Sequence, residues 1–535
     1  MEVAQVGGQR SPGQKDRSPS ERSLGAALHT FLERHELACL CSLLAMLAAM
    51  ALVLSHRKQL WFDELFTLIV ARQPTWSEFM RAMPADGNPP LLHVIVRASI
   101  HIFGQTAFAV RLPSLTAFLL SVLLHVLVRE RCGSVAGLLA VLLIMEQPGW
   151  SYAFEARPYA LLLAFLLLTA VCWQRATEAD RPRAVALAGL SLGVAGAILS
   201  HHVGLIEVGV PLFAAEAVRL HRTRRFDLFL YAAFLAGLPA LAVTVPMMHK
   251  THEVLLVYAG APGQAHLGLG AVVIWLKNAW LSFPLLVDLP ITLLLGLMWA
   301  AGVRPGDRSS FETVEAREEG RLIRAEDWGL GVGAALLIPV TLVVMEVATR
   351  YYNCRYGIGS IAGIAILGSF TISNLYSKDK RFQSALIVFC VTVFCVRAGH
   401  EYRTASPIEV DRDPLLSEES SDRPIVVSDA LRFLPIWWYA SPSERERLFY
   451  LADKSVALRY GFAVPEIALI TESRFMPARV VGYAEFAASH RSFLVYMTGQ
   501  IPARDLVDRL RESGYALSLV KDNGSRLYEA RRIQP

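Results

Sequence analysis

Long apolar runs recur along this chain from about residue 37 to residue 400, separated by short polar segments. Many of them reach the roughly 17–25 residues that a helix needs to cross a bilayer. The pattern predicts a polytopic helical membrane protein with eleven spans, near 37–55, 107–128, 134–150, 158–175, 184–200, 203–220, 228–248, 286–303, 329–348, 357–376 and 382–399. Composition agrees. Of 535 residues, 54% are hydrophobic and 19% charged, and the mean hydropathy is +0.39, too apolar for a soluble protein of this size.

The net charge of +5 decides little by itself. No basic patch with interleaved aromatics argues for nucleic acid as a partner. Six of the seven cysteines, Cys39, Cys41, Cys132, Cys172, Cys390 and Cys395, lie in or beside apolar runs, where cysteine behaves as a small hydrophobe. Residues 400–535 contain none, so that stretch gives no redox information. Residues 1–24 are polar and rich in Ser, Gly, Gln and Arg, and 1–36 is read as a disordered cytoplasmic N-terminus. It lacks the layout of a signal peptide, since the first apolar run starts near Leu37.

Basic residues set the orientation. Arg10 to Arg34, Arg129 and Arg131, Arg175 to Arg183, Arg219 to Arg225, Arg304 to Arg324 and Lys378 to Arg381 fall in alternate loops. These loops are therefore placed in the cytoplasm. The opposite set, 56–106, 151–157, the His201-His202 turn, 249–285, 349–356 and everything after 400, is extracytoplasmic. The stretch Pro89 to Val96 would break this alternation if it crossed, so it is read as a juxtamembrane helix in the interface, as is 268–284.

After residue 400 the pattern changes. Pro424 to Asp429 reads as a buried strand leading into a helix, Ser492 to Tyr496 as a strand, Ile501 to Leu510 as a helix, and Ser525 to Ala530 as a last strand. The expected organisation is a transmembrane unit over 37–400, with an outer catalytic loop at 56–106, followed by a small extracytoplasmic α/β domain over 401–535.

With this topology Asp63, Glu64, Glu155, Arg157, His201, His202, Arg350 and Arg355 all sit on one side of the membrane, at the ends of spans. Ionisable groups at such boundaries are costly unless solvated or functional. A partly desolvated Asp has a raised pKa and suits a general base. An Arg at headgroup height matches the phosphate of a lipid-linked sugar. Simpler readings stand beside these: Glu155 and Arg157 as an ordinary ion pair, Arg111 as a snorkelling cap, Glu207 as a satisfied buried acid. His201 and His202 read equally as interfacial histidines, and His93, Arg97 and His101 as one helical face meeting headgroups.

The order of motifs carries a resemblance. Asp63-Glu64, Asn88-Pro89-Pro90-Leu91, Gly104, Arg111-Leu112-Pro113-Ser114, Ala156-Arg157-Pro158-Tyr159, Ser200-His201-His202 and Arg355-Tyr356 follow one another over about 37–400. The chain resembles the type-C glycosyltransferases of the bacterial protein mannosyltransferase and lipid A aminoarabinose transferase kind, membrane enzymes that use polyprenyl-phosphate sugars. It departs from them at Asn88, where some relatives carry Lys, and at Gly357-Ile358-Gly359, where relatives are Pro-rich.

The resemblance implies the type-C fold and an inverting transfer of a sugar from a polyprenyl phosphate to an acceptor hydroxyl outside the cytoplasmic membrane, in bacteria the inner membrane. Asp63 would be the base, with Glu64 orienting the acceptor or supporting a metal. Arg355, Tyr356, Glu155, Arg157, Tyr159, His201, His202, Arg111 and Asn88 would bind the donor phosphate and substrate. No cofactor is certain, and a divalent metal stays an option. The acceptor is a lipid, glycan or protein hydroxyl, and membrane lipid surrounds the enzyme. The alternative is a secondary transporter or flippase, for which midplane charges and paired halves are expected.

Overall fold

The computed structural model describes residues 24–146, 148–178, 182–259, 323–349, 353–376, 379–405, 422–455, 463–497, 504–522 and 524–533. The expected span 286–303, the interface segment 268–284, the first 23 residues and Arg350 lie outside the described residues.

The first half is helical throughout: α1 (Leu24–Arg34), α2 (Glu36–Arg57), α3 (Phe62–Ala71), α4 (Trp76–Asp86), α5 (Leu91–Phe103), α6 (Ala107–Leu119), α7 (Val122–Cys132), α8 (Ser134–Glu146), α9 (Tyr159–Ala176), α10 (Ala184–Ser200), α11 (Gly204–Thr223), α12 (Leu228–Gly237) and α13 (Leu241–Ala259). A bent pair, α14 (Ala325–Ala335) and α15 (Leu337–Ala348), is followed by α16 (Ser360–Leu375) and α17 (Lys380–Thr404). Every expected span within the described residues is met by a helix or a pair of helices. Among the described residues, five helical segments are long and apolar enough to cross a bilayer, and α14–α15, bent by 48°, forms a sixth if counted as one span. The others are shorter or, like α11 with Glu207, Glu216 and Arg219, carry more charge.

Two features separate inside from outside. In α8 every side chain from Val135 to Glu146 is buried, as expected of a helix apolar on all sides at the centre of a bundle. By contrast Val185, Val347 and Val396 are 83%, 82% and 67% exposed, an apolar outer surface that suits hydrocarbon and not water. The N-terminal expectation needs correction. Leu24–Arg34 is helix, not disordered chain, because Leu28 and Leu32 recur at helical spacing and pack onto the apolar core.

The 56–106 segment, expected as an outer loop with juxtamembrane helices, forms three helices, α3 to α5. At about 1.5 Å per residue, the 13 residues of α5 span about 20 Å, short of the ~30 Å hydrocarbon core. Nearly every residue of α3 is buried. The turn after α4 depends on Gly87, whose φ of 74° is left-handed and favours glycine.

The tail folds as an α/β unit: β1 (Ile425–Val427), α18 (Ala430–Tyr439), α19 (Pro442–Arg447), β2 (Leu448–Ala452), α20 (Ala463–Glu472), β3 (Arg479–Gly482), α21 (Tyr483–Ser489), β4 (Ser492–Met497), α22 (Arg504–Glu512), β5 (Tyr515–Asp522) and β6 (Arg526–Arg532). The strand order is β3-β2-β1-β4-β6-β5, with β1 to β4 parallel and β5 and β6 antiparallel. Strand alternation divides the sheet's two faces. Val426, Phe449, Phe493 and Val495 pack in a core of their own, whereas Ile425, Val427, Leu494 and Tyr496 join the core that runs on into the helical part.

The break between α14 and α15 is covered by α16 at Gly363, where an added Cβ would lie 2.2 Å from the Ala335 backbone nitrogen. Gly363→Val is expected to lower the melting temperature and the yield of folded, detergent-extracted protein. Gly399→Ala, with nothing within 4 Å, serves as the control and should match wild type.

Candidate active site

One buried ion pair organises the ends of the helices. Arg111 of α6 is 2% exposed and Glu64 of α3 is fully buried. Arg111 Nε donates to Glu64 Oε1 at 2.7 Å and Nη2 to Oε2 at 2.6 Å, the forked geometry that guanidinium and carboxylate favour. Its remaining donors reach the carbonyls of Ser55 (2.9 Å), Lys58 (2.8 Å) and Gln59 (2.8 Å), which close the end of α2. Glu64 also accepts from the backbone N–H of Ala156 at 2.8 Å and of Trp61 at 3.3 Å. Arg111 therefore does not snorkel toward headgroups. All its donor positions are taken within the protein.

The neighbours of this lock form the candidate reactive group. Ala156 is fixed on Glu64, so Arg157 follows Asp63 into contact, at 3.1 Å between Nη2 and Oδ2. The Asp63 side chain keeps 24% exposure, against none for Glu64. Burial raises the Asp63 pKa above the ordinary carboxylate range. Arg157 opposes this, and the nearby charge of Asp86 adds to it. Arg157 and Arg355 lie 5.9 and 6.0 Å from the centre of the Trp61 ring. Tyr159 stands 5.9 Å from the Arg157 guanidinium. The His201 ring lies 5.4 Å from both Tyr159 and Tyr356. Asp63, Arg157, Tyr159, His201, Tyr356 and Arg355 are thus joined in one continuous set of contacts. His201 accepts from the Val203 N–H at 3.2 Å, and burial holds its pKa well below the usual value, so it is neutral.

A second group meets at the Gly87 turn. Asp86 accepts from His93 Nε2 at 2.6 Å and from Asn88 at 3.4 Å. Burial alone would raise the Asp86 pKa, but the His93 hydrogen bond and charge, helped by Arg157, hold it low. The Gly87 carbonyl accepts from His202 Nε2 at 2.6 Å and from Thr251 at 3.1 Å. Burial lowers the His202 pKa, and the ring donates as neutral imidazole. His93 and Arg97 are buried, Arg97 binding the carbonyls of Ala71 and Gln73, so these two turn inward and not to headgroups, whereas His101, four residues further along α5, is exposed. Among the described residues no group of three His, Cys, Asp or Glu side chains is placed to hold a metal ion. Glu207 accepts from the Gly359 N–H at 2.8 Å within the bundle.

Beside the lock opens a cavity of about 520 Å³, lined by Lys58, Trp61, Glu64, Arg111, Glu155 and Arg355 and closed by tail residues Arg432 and Pro435. Burial, with the charge of Glu64, pushes the Glu155 pKa to about 7, against the pull of Arg355 and Lys58. Lys58 pairs with Glu401 at 2.9 Å. Sequence reasoning missed Lys58, Trp61, Asp86 and Arg432. Lys58 and Trp61 adjoin Asp63-Glu64 at the end of the first apolar run, and that placement was the available signal.

Residues 87–249 match the family model described as dolichyl-phosphate-mannose-protein mannosyltransferase. The matched stretch includes Asn88, Arg111, Glu155, Arg157, His201 and His202. In fold the chain is similar to ArnT from Cupriavidus metallidurans. The crystal structure of its apo state aligns with a TM-score of 0.53 at 14% identity, covering 92% of this chain and 97% of that one. The structure of ArnT bound to undecaprenyl phosphate aligns with a TM-score of 0.51 at the same identity and coverage. No curated protein matches the sequence. The family match and the fold bear out the resemblance to type-C membrane glycosyltransferases drawn from the motifs.

Removing one partner of a buried ion pair strands the other charge, at a cost of about 3–5 kcal/mol. Glu64→Gln and Arg111→Met should each lower stability by about that amount, read by thermal unfolding in detergent. The double variant should lose less than the sum of the two. Additive losses would show that the two side chains act separately.

Proposed function

We propose that this membrane glycosyltransferase moves a sugar, with inversion, from a polyprenyl-phosphate donor to an acceptor hydroxyl on the extracytoplasmic face of the membrane. The observation that carries the reading is Asp63: a half-buried carboxylate with a raised pKa, held by Arg157 beside Trp61 and Arg355. Its neighbour Glu64 is taken up by Arg111 and two backbone N–H groups, which leaves Asp63 as the carboxylate to accept a proton.

In this reading the acceptor O–H gives its proton to Asp63 as the oxygen bonds to the anomeric carbon. The bond from that carbon to the phosphate oxygen breaks, and its electron pair leaves on the polyprenyl phosphate. Attack opposite the leaving group is a single displacement and inverts the centre. Arg355 meets the phosphate, where charge grows as the bond breaks. Arg157 keeps Asp63 oriented. His201, Tyr159 and Tyr356 form the wall behind Arg157, and Asn88 and His202 hold the turn that carries Asp86. The alternate placement of basic loops supports the extracytoplasmic orientation and, with it, residence in a bacterial inner membrane.

Asp63→Asn should cut transfer by about 10²- to 10⁴-fold at unchanged membrane level, measured with purified protein and a panel of polyprenyl-phosphate sugars. Wild-type turnover in that variant would end the assignment. An ionised Glu155 repels the donor phosphate across the cavity. Donor KM should therefore rise as pH increases through about 7, the Glu155 pKa. Glu155→Gln should flatten that rise, which a KM series across about pH 6 to 8 would reveal.

A further inference from the structure

Glu207 is an acid that the transfer chemistry does not use. It lies in the first turn of α11, six residues after His201, and is fully buried. An ionisable side chain inside a helical bundle is costly, and its partner shows what it is kept for. Here the partner is a backbone group: the Gly359 N–H donates to Glu207 Oε2 at 2.8 Å. Gly359 immediately precedes α16, and the first N–H groups of a helix have no partner within it.

Gly359 is shaped by this contact. Its φ of −62° is open to any residue, so backbone freedom does not explain the glycine. Space does. An added Cβ would have Glu207 Oε2 as its nearest neighbour, at 2.4 Å. Gly357 is likewise pressed onto α15, where a Cβ would lie 2.8 Å from Ile338 Cα. A proline at position 359 would offer Glu207 no N–H.

Arg355 stands just ahead of this anchor, in the short 3₁₀ turn Cys354–Gly357. In front, its N–H donates to Asn353 Oδ1 at 3.2 Å. Behind, four residues further on, Glu207 holds Gly359. Between the two, the Tyr356 ring lies 5.4 Å from His201. The segment from His201 to Glu207 therefore meets the Arg355 turn at two points. From that turn the Arg355 side chain reaches the cavity wall, 6.0 Å from the centre of the Trp61 ring. A guanidinium fork is directional, so a small shift of the backbone that carries it moves its donors off a phosphate.

We propose that Glu207 is a positioning residue for the donor phosphate: by holding Gly359 it fixes the turn from which Arg355 reaches that phosphate. This rests on reading Arg355 as the phosphate contact.

The test uses full-length protein in detergent and compares binding of farnesyl phosphate with that of farnesol, its neutral counterpart. Wild type should prefer the phosphate, and Arg355→Gln should lose that preference. Glu207→Ala should cut it about tenfold and leave farnesol binding near wild type. Glu207→Leu, which fills the space and removes the acceptor, should do the same and serves where the Ala variant does not fold. Glu207→Gln, whose amide carbonyl can accept from Gly359, should keep most of the preference. Adding Glu207→Ala to Arg355→Gln should cost nothing further. A preference that survives Glu207→Ala and Glu207→Leu, equal weakening of both ligands, or a further loss in the double variant would each overturn the proposal. A full preference in Arg355→Gln would overturn it together with the assignment of the phosphate to Arg355. The expected binding pattern without sugar turnover from any polyprenyl-phosphate donor would sink the transfer reading and keep the positioning role.

Discussion

The arrangement of this site depends on a single buried contact, the fork between Arg111 and Glu64. It does more than neutralise two charges. The guanidinium closes the end of α2, and the carboxylate closes the start of α3 and holds the backbone at Ala156. Three segments far apart in sequence are thereby fixed to a fourth, α6. Asp63 and Arg157 are each the immediate neighbour of a locked residue, so their own contact follows from the lock. Burying a charged pair costs desolvation that well-packed apolar residues would avoid, so the pair is better read as specifying geometry than as adding stability.

A similar economy holds at the Gly87 turn and at α18. One left-handed glycine lets its carbonyl accept from His202 and Thr251 while Asp86 and Asn88 point at each other on either side. The tail sheet shares a core with the helical part through Ile425, Val427, Leu494 and Tyr496. The position of α18 is set both from the sheet side, through Phe433, and from the membrane side, through Tyr439 and Trp438.

Much of this was legible in the sequence because it is written in local patterns. Apolar runs gave the helices, and strand alternation gave Pro424 to Asp429 and Ser492 to Tyr496. Charges at span ends gave Asp63, Glu64, Glu155, Arg157 and Arg355. What escaped depends on contacts between distant residues. Arg111 looked like a snorkelling cap because nothing near it in sequence shows that its partner is 47 positions away. Asp86 gives no local signal in the sequence, because its burial comes from packing around α5 and the His202 turn. Arg432 lies in a soluble-looking domain, where a helix beginning after Asp429 gives no sign of reaching a site built at the membrane. Leu24–Arg34 was read as disordered because its polar surroundings masked the helical spacing of Leu28 and Leu32.

The two-faced helix α18 has a consequence for descent. The residues that keep the tail folded, Phe433, Leu434 and Trp437, are not those that look into the cavity. Arg432 and Pro435 line the cavity wall and so answer to a different constraint from Asp63 and its lock. Lineages sharing this architecture are then free to vary the cavity wall that the tail supplies faster than the lock, and the record of that variation will be concentrated on one face of a ten-residue helix.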